Sequence, residues 1–257
     1  MSALLGRIKK RVAWLRRTPL HPQWLLARTT AAAEWVVQNA SGRVLDVGCA
    51  DRWVERALSP QCSYLALDYP DTGAAIYHAR PHVYATASAL PLANDSIDTA
   101  LLLEVTEHLA DPDLALAEVA RVLRPGGRLL LSMPFLYPIH DAPHDYQRFT
   151  EHGLRRRVEA AGLKIESLER TLTSAETSAV LSCLMLSGSF VEAMRQRHPA
   201  VVLLPLLALA IPLINVGGWI AGRLLPDWSA CTLGYRLHAR RPVDAGMVAG
   251  ADAAQRT

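Results

Sequence analysis

The chain has few cysteines and no CxxC pair. Its four cysteines, Cys49, Cys62, Cys183 and Cys231, are scattered along the sequence. That spacing argues against a zinc ribbon or a thioredoxin-like redox motif and fits a reducing, cytosolic setting. Charge is also sparse, with 20% charged residues against 51% hydrophobic ones and a net charge of only +3. This balance excludes a disordered chain, and the composition is neither collagen-like nor that of a disulfide scaffold. The net charge is too small to point to nucleic acid. No signal peptide is expected, because the N-terminal apolar run is short and no small-residue cleavage site follows it. No internal repeat or low-complexity tract is evident, and 257 residues suit one α/β domain with additions.

What is present is an alternation of patterns. Short β-rich runs occur at 43–47, 64–68, 98–103 and 128–133, with helical stretches at 29–40, 51–58 and 112–123. Two further strands are expected at 164–170 and 232–239. Such alternation predicts a mostly parallel sheet with helices on both faces, and ligands bind such sheets at the carboxyl ends of the strands. Function is therefore expected just after 47, 68, 103 and 133.

Residues 1–28 carry seven basic residues and no acidic one, with Leu4, Leu5, Ile8, Val12 and Leu15 at helical spacing. This reads either as a basic amphipathic arm suited to an anionic bilayer surface or as a solvated arm. Residues 199–222 hold no charge over 24 positions, but Pro199, Pro205, Pro212 and Gly217–Gly218 are expected to kink or break a helix there. The preceding charge-free stretch, 177–191, has 15 residues, short for a membrane span.

Several motifs carry chemistry. In VLDVGCADR (44–52), Asp46 ends a strand and Gly48 permits a tight turn close to a ligand. Asp68, in LDYP, follows Asp46 by 22 residues, where a ribose-binding carboxylate belongs. LLLEVTEHL (101–109) and RVLRPGG (121–127) follow in order. Taken together, this series from about 43 to 133 resembles the class I S-adenosylmethionine-dependent methyltransferases of the type 11-like group. The segment MPFLYPIHDAPHDYQRFTEHGL (133–154) is similar to a subset of these found with bacterial cell-surface glycan biosynthesis.

The resemblance implies a Rossmann-like α/β fold. Its seven-stranded, mostly parallel sheet would have an antiparallel last strand, with an apolar helical insertion between the last two strands. It divides the chain into a basic N-terminal arm (1–28), a methyltransferase core (29–171), an apolar insertion (172–230), the last strand (231–242) and a disordered tail (243–257). S-adenosyl-L-methionine is the implied cofactor. Asp46, Gly48, Cys49 and Ala50 would surround its methionine end. Asp68 would bind the ribose, Tyr69 would pack beside the adenine, and Ala87 and Ser88 would edge it. Glu104 and Val105 would close the site after the fourth strand.

Two departures from the family stand out. Ala50 and Arg52 replace the usual glycines, and Ala50 is acceptable only at negative φ. Arg52 would pair with a carboxylate or face solvent. Thr86 stands where an acidic residue usually meets the adenine.

Methyl transfer to a hydroxyl needs alignment and a proton acceptor, for which His140, His144 and His108 are the candidates. The bland alternative is that His144 and Arg148 pair with acids to hold the loop. No metal is expected at His140 and His144 with Asp141 and Asp145, since a Pro-containing loop lacks the helical frame of metal-binding HxxxH sites.

In this family the last strand lies in the same sheet as 164–170, so a single membrane crossing between them is excluded. A re-entrant or interfacial hairpin, two spans or a soluble helical subdomain remain. The first is expected, on the inner face of the membrane and with the enzyme cytoplasmic. The implied function is methylation, in particular O-methylation, of a small-molecule, glycan or lipid-linked acceptor. A membrane-held cofactor-binding or degenerate scaffold is the alternative. Nucleic acid is not expected as a partner: no Asn/Asp-Pro-Pro-Tyr motif follows the fourth strand, and no aromatic-lined basic groove is evident.

Overall fold

The computed structural model of the chain describes residues 13–27, 31–74 and 80–243. The basic stretch before residue 13, the Thr29–Thr30 cap and the tail from 244 lie outside the described residues. The described chain separates into two compact units, one of residues 32–135, 139–169 and 234 onward, the other of residues up to 31, 136–138 and 170–233.

The larger unit is built on a sheet. Among the described residues there are seven strands: β1 (Arg43–Val47), β2 (Ser63–Asp68), β3 (Val83–Tyr84), β4 (Ile97–Leu103), β5 (Leu123–Pro134), β6 (Lys164–Arg170) and β7 (Gly234–Arg240). Their order is β3-β2-β1-β4-β5-β7-β6. β1 pairs parallel with β2 and β4, β2 with β3 and β4 with β5, while β7 runs antiparallel to β5. This is the mostly parallel, Rossmann-like sheet with an antiparallel last strand that the resemblance implied. The chain turns back across the sheet between β1 and β4, so the crevice for a ligand opens at the carboxyl ends of those two strands.

The central strands are Leu- and Val-rich because both of their faces are covered. Leu45, Val47, Ala100, Leu102, Leu129 and Leu131 pack on one side with Leu116, Val119, Leu154 and Val158. Val44, Leu101 and Leu130 pack on the other with Val36 and Val54. The helices over the sheet follow their capping signals. Short α1 (Trp24–Ala27) belongs to the second unit, and α2 (Ala31–Asn39) leads into β1. α3 (Pro112–Val122) starts with Pro at its first position and Asp111 as cap, whose carboxylate accepts from the Leu114 amide at 3.0 Å. α4 (Glu151–Ala160) is capped by Thr150, as its sequence suggested, and buries Leu154 and Val158. Arg124 at the end of the RVLRPGG turn pairs with Asp98 at 2.7 Å.

The helix expected at 51–58 is absent. Isolated turns stand there, because Ala50 (φ 44°) and Arg52 (φ 58°) both adopt the left-handed conformation and leave too few residues before Pro60.

The second unit contains α5 (Ser174–Arg195), a 3-10 turn (Pro199–Leu203) and α6 (Leu204–Leu224). Thr173 and Glu176 form a capping box that starts α5. α5 and α6 form an antiparallel hairpin: Cys183 Sγ lies 3.7 Å from the Ile211 carbonyl oxygen, and Gly218 faces Ala179. A Cβ on Gly218 would stand 2.3 Å from that of Ala179, so this glycine serves close helix packing. Asn215, buried on α6, donates to the carbonyls of Pro19 (2.7 Å) and His21 (2.9 Å) and ties the preceding chain to the hairpin.

The charge-free stretch before α6 keeps its 177–191 bounds within a helix of 22 residues, about 33 Å long, that also holds Glu176, Glu192 and Arg195. One expectation changes here. The prolines do not break α6. Pro205 sits in its first turn, where the missing amide costs nothing, and Pro212 alone removes an internal hydrogen bond.

Candidate functional site

The loop after β1 turns at Gly48, whose φ is 75°. A Cβ there would lie 2.5 Å from Val105 Cγ2, so the loops after β1 and β4 approach at van der Waals contact only because residue 48 is glycine. The Gly48 and Cys49 amides donate to the Leu67 carbonyl at 2.8 and 3.2 Å, fixing this loop to the end of β2. Asp68, buried at that end, accepts from the Ala50 amide (2.9 Å) and the Tyr69 amide (2.8 Å), while the Cys49 thiol lies 3.7 Å away. Burial, helped by the nearby carboxylates, pushes the Cys49 thiol up to about 12, so it stays protonated.

Asp46 is buried beneath the loop. Its Oδ2 accepts from the Tyr64 hydroxyl at 2.6 Å, and burial raises its pKa to about 6 despite that bond. Tyr69 is 46% exposed at the crevice mouth. Ala87 is buried, and the Ser88 amide donates to Thr86 Oγ1 at 3.3 Å. The structure thus brings Asp46, Gly48, Cys49, Ala50, Asp68 and Tyr69 together, with Val105 against Gly48.

The condition set for Ala50 is not met. Its φ is positive, so Ala50 and Arg52 keep left-handed conformations of the kind glycines favour. Arg52 pairs with Glu55 at 2.6 Å and also donates to the Arg80 carbonyl at 3.1 Å. The loop keeps its shape at a cost in backbone strain.

Glu104 follows β4 with φ 55° and accepts from the Ser132 hydroxyl at 2.7 Å, across the Leu103–Ser132 register pair. Glu104 is exposed, yet protein crowds its carboxyl and raises its pKa, while the Ser132 bond and the nearby Arg236 and Arg148 charges oppose the rise.

Glu107 and His108 lie on the 3-10 turn Thr106–His108. Glu107 is fully buried, and neither carboxylate oxygen has a hydrogen-bond partner. Burial first, and the Glu104 charge second, push its pKa up to about 9. His108 and His140 stack edge to face with centroids 4.9 Å apart. The structure therefore unites two of the three histidine candidates. The ring of His144 instead meets the Tyr146 hydroxyl at 3.2 Å, and its backbone carbonyl oxygen lies 2.8 Å from His108 Nδ1.

The segment after β5 is fastened over this turn. Tyr146 donates its amide to the Glu107 carbonyl at 2.9 Å, and the Gln147 amide group donates to the carbonyls of Thr106 (2.9 Å) and Leu109 (2.7 Å). Arg148 binds Asp145 through both guanidinium nitrogens, with the Nη2–Oδ2 distance 2.7 Å, and holds that carboxyl down at about 2. Arg148 thus has the loop-holding role weighed for it from sequence. Phe149 packs on the core under the Arg157 guanidinium, 4.5 Å above its ring. Sequence reasoning left Tyr64, Ser132 and Glu107 without roles. For Glu107 a signal existed in the Glu104–x–x–Glu107–His108 spacing, which places three polar groups on one short turn.

This fold and crevice agree with the comparisons. The methyltransferase-domain family matches residues 20–168, more than half of the chain, and the chain belongs to that family, whose cofactor is S-adenosylmethionine. An uncharacterized methyltransferase of Mycobacterium tuberculosis is 39% identical over 107 residues, covering 38% of this chain and 42% of the relative. The chain thus spans about two fifths of the length of that relative. A probable S-adenosylmethionine-dependent methyltransferase of Mycolicibacterium smegmatis is 29% identical over 177 residues, covering 64% of this chain and 68% of the relative.

Among solved structures, an S-adenosylmethionine-dependent methyltransferase from Mesorhizobium loti superposes with a TM-score of 0.50 at 16% identity, covering 86% of this chain and 98% of that one. The [4+2]-cyclase SpnF superposes with the same TM-score of 0.50 at 19% identity, covering 84% and 80%. A shared fold therefore does not by itself fix the reaction.

Proposed function

We propose that the chain transfers the methyl group of S-adenosylmethionine to a hydroxyl of a small-molecule, glycan or lipid-linked acceptor at the inner face of a membrane. One observation carries this reading. The carboxyl ends of β1, β2 and β4 bring Asp46, Gly48, Asp68 and Glu104 to one crevice, and the segment holding His140 and His144 is fastened beside it.

In this reading Asp68 binds the ribose hydroxyls, and Tyr69, Ala87 and Ser88 flank the adenine. Asp46, Gly48, Cys49 and Ala50 surround the methionine end, and Glu104 and Val105 close the crevice. The S–CH3 bond breaks as the O–CH3 bond forms, the hydroxyl proton leaves to a base, and S-adenosylhomocysteine remains. His108, His140 and His144 form the polar wall where the acceptor docks. The degenerate-scaffold alternative is not favoured, since the methyltransferase-domain family match runs over residues 20–168.

The membrane part of the proposal rests on the α5–α6 hairpin. Both helices are long and apolar enough to cross a membrane by length and composition. Leu206, Leu209, Leu213, Ile220 and Leu224 of α6 are exposed, as are Met185, Leu186, Val191 and Met194 of α5. An exposed apolar face of this extent marks an interaction surface, and a hairpin enters and leaves the membrane on one side. Residues 172–230 would then anchor the enzyme beside a lipid-linked acceptor.

The test is transfer of labelled methyl from S-adenosylmethionine to a membrane extract. A labelled glycolipid or lipid-linked glycan supports the reading. Label confined to water-soluble products, or no transfer by a cofactor-binding protein, contradicts it.

A further inference from the structure

We propose that Glu107, His108 and His140 form a binding site for one divalent transition-metal cation, Zn2+ or Mn2+, beside the methyl-transfer crevice. The ligand atoms of these three residues all lie within 4.8 Å of one another. Glu107 Oε1 stands 3.8 Å from His108 Nε2 and 3.9 Å from His140 Nε2. A tetrahedral ion with bonds of about 2.0–2.1 Å sets its ligands roughly 3.3–3.4 Å apart, so each Glu–His pair needs to close by only about half an ångström and the two imidazole nitrogens by no more than about 1.5 Å.

Two independent features point the cluster at a cation. The first is Glu107 itself, which is 0% exposed and has both carboxylate oxygens unpartnered. A buried carboxyl with no hydrogen bond costs free energy, and a coordinated cation removes that cost. The second is the outer side of each imidazole. His108 Nδ1 lies 2.8 Å from the His144 carbonyl oxygen, and His140 Nδ1 lies 3.2 Å from Asp145 Oδ2. A carbonyl and a carboxylate are the partners that orient metal-bound histidines, because they accept a hydrogen bond from Nδ1–H and leave the Nε2 lone pair for the ion.

The Arg148 guanidinium, a donor only, also lies 3.3 Å from His140 Nδ1; a cation on Nε2 selects the tautomer with the proton on Nδ1, which donates to Asp145 Oδ2 in place of any bond from Arg148. Arg148 opposes a cation little, since Asp145 already binds it through both nitrogens.

Two imidazoles and one carboxylate favour Zn2+ or Mn2+ over Ca2+ and leave coordination positions open. A cation there can hold an acceptor hydroxyl and lower its pKa. That role rests on the proposed methyl transfer, whereas cation binding does not. The site also differs from the His140/His144 pairing considered from sequence, in which no metal was expected.

The experiment uses the tag-free full chain after chelator treatment. It is dialysed against ZnCl2 or MnCl2, and bound metal is counted by elemental mass spectrometry. One ion per chain is expected, with affinity weakened at least about tenfold in both Glu107→Gln and His140→Ala and unchanged in the exposed-histidine control His152→Ala. Circular dichroism confirms folding of each variant, and His140→Ala alters a loop residue should Glu107→Gln fail to fold. No stoichiometric binding by the folded chain, or binding undiminished in the folded variants, overturns the site. Titration with S-adenosylhomocysteine runs in parallel, so failure of the methyltransferase reading and failure of the cation site are told apart.

Discussion

Asp68 Oδ2 accepts the amide of Ala50 at 2.9 Å, and this bond holds a residue whose φ is 44°. A carboxylate at the end of β2 thereby shapes the loop after β1. The strain at Ala50 has a consequence for stability. An L-residue in the left-handed region costs about 1–2 kcal/mol, and glycine returns most of that less its own unfolded-state entropy. Ala50→Gly should leave stability equal or raise it by up to about 1 kcal/mol, while Ala50→Val should lower it. Urea melts of the three proteins check this order, and a marked loss in Ala50→Gly would contradict it.

Asp46 gives a pH signature. Its folded-state pKa of about 6 lies above its ordinary value because it is buried. The folded protein therefore favours the neutral acid. The stability this contributes is fully present below about pH 4 and is lost as the pH rises through about 6. An Asp46→Asn variant never ionises, so its stability relative to wild type should rise between pH 4 and pH 7, by the order of 1–3 kcal/mol. Urea melts across that range measure the difference, and a flat difference would refute the assignment.

The Asp145–Arg148 pair fastens the segment over the Thr106–His108 turn. Asp145 is 2% exposed at its side chain, but few protein layers lie over it. Removing the partner of a covered charge is costly, and the thin cover places the cost below that of a deep pair. Arg148→Met should destabilise the protein by about 2 kcal/mol. Chemical denaturation measures the loss, and hydrogen exchange should show the amide of Tyr146 exposed first.

The α5–α6 hairpin predicts vesicle binding. The full chain should float with anionic phospholipid vesicles, and Leu209→Glu with Leu213→Glu should reduce the bound fraction several-fold, since a charged side chain at depth costs about 2.5–3.5 kcal/mol. Both leucines are exposed on α6, so the folded units survive the change. Equal flotation of the double variant would count against membrane entry.

These results show which parts of the molecule the sequence could reveal. β1 and β6 stand at 43–47 and 164–170 as expected; the Val- and Leu-rich run of β1 carries its own signal, whereas β6 has only Ile165 and Leu168 as apolar residues. The turns at 51–58 were hidden, since the left-handed φ of Ala50 and Arg52 is imposed by the loop and not by residue type. The sequence suggests a kinked or broken helix at 199–222 because prolines count against helices one by one, whereas their cost depends on position in the helix. Asp46, Gly48 and Asp68 were legible through their spacing. The Tyr64–Asp46 bond and the orphaned Glu107 were not, because each depends on packing that only the folded chain provides.

The central claim is that the crevice holds S-adenosylmethionine. Isothermal titration of the full chain with S-adenosylhomocysteine tests it most directly, beside Asp68→Ala. The account predicts one site per chain with micromolar affinity, weakened about tenfold to a hundredfold in the variant, as expected when hydrogen bonds to a charged group are lost. A folded wild-type chain that shows no heat of binding at millimolar ligand would contradict it.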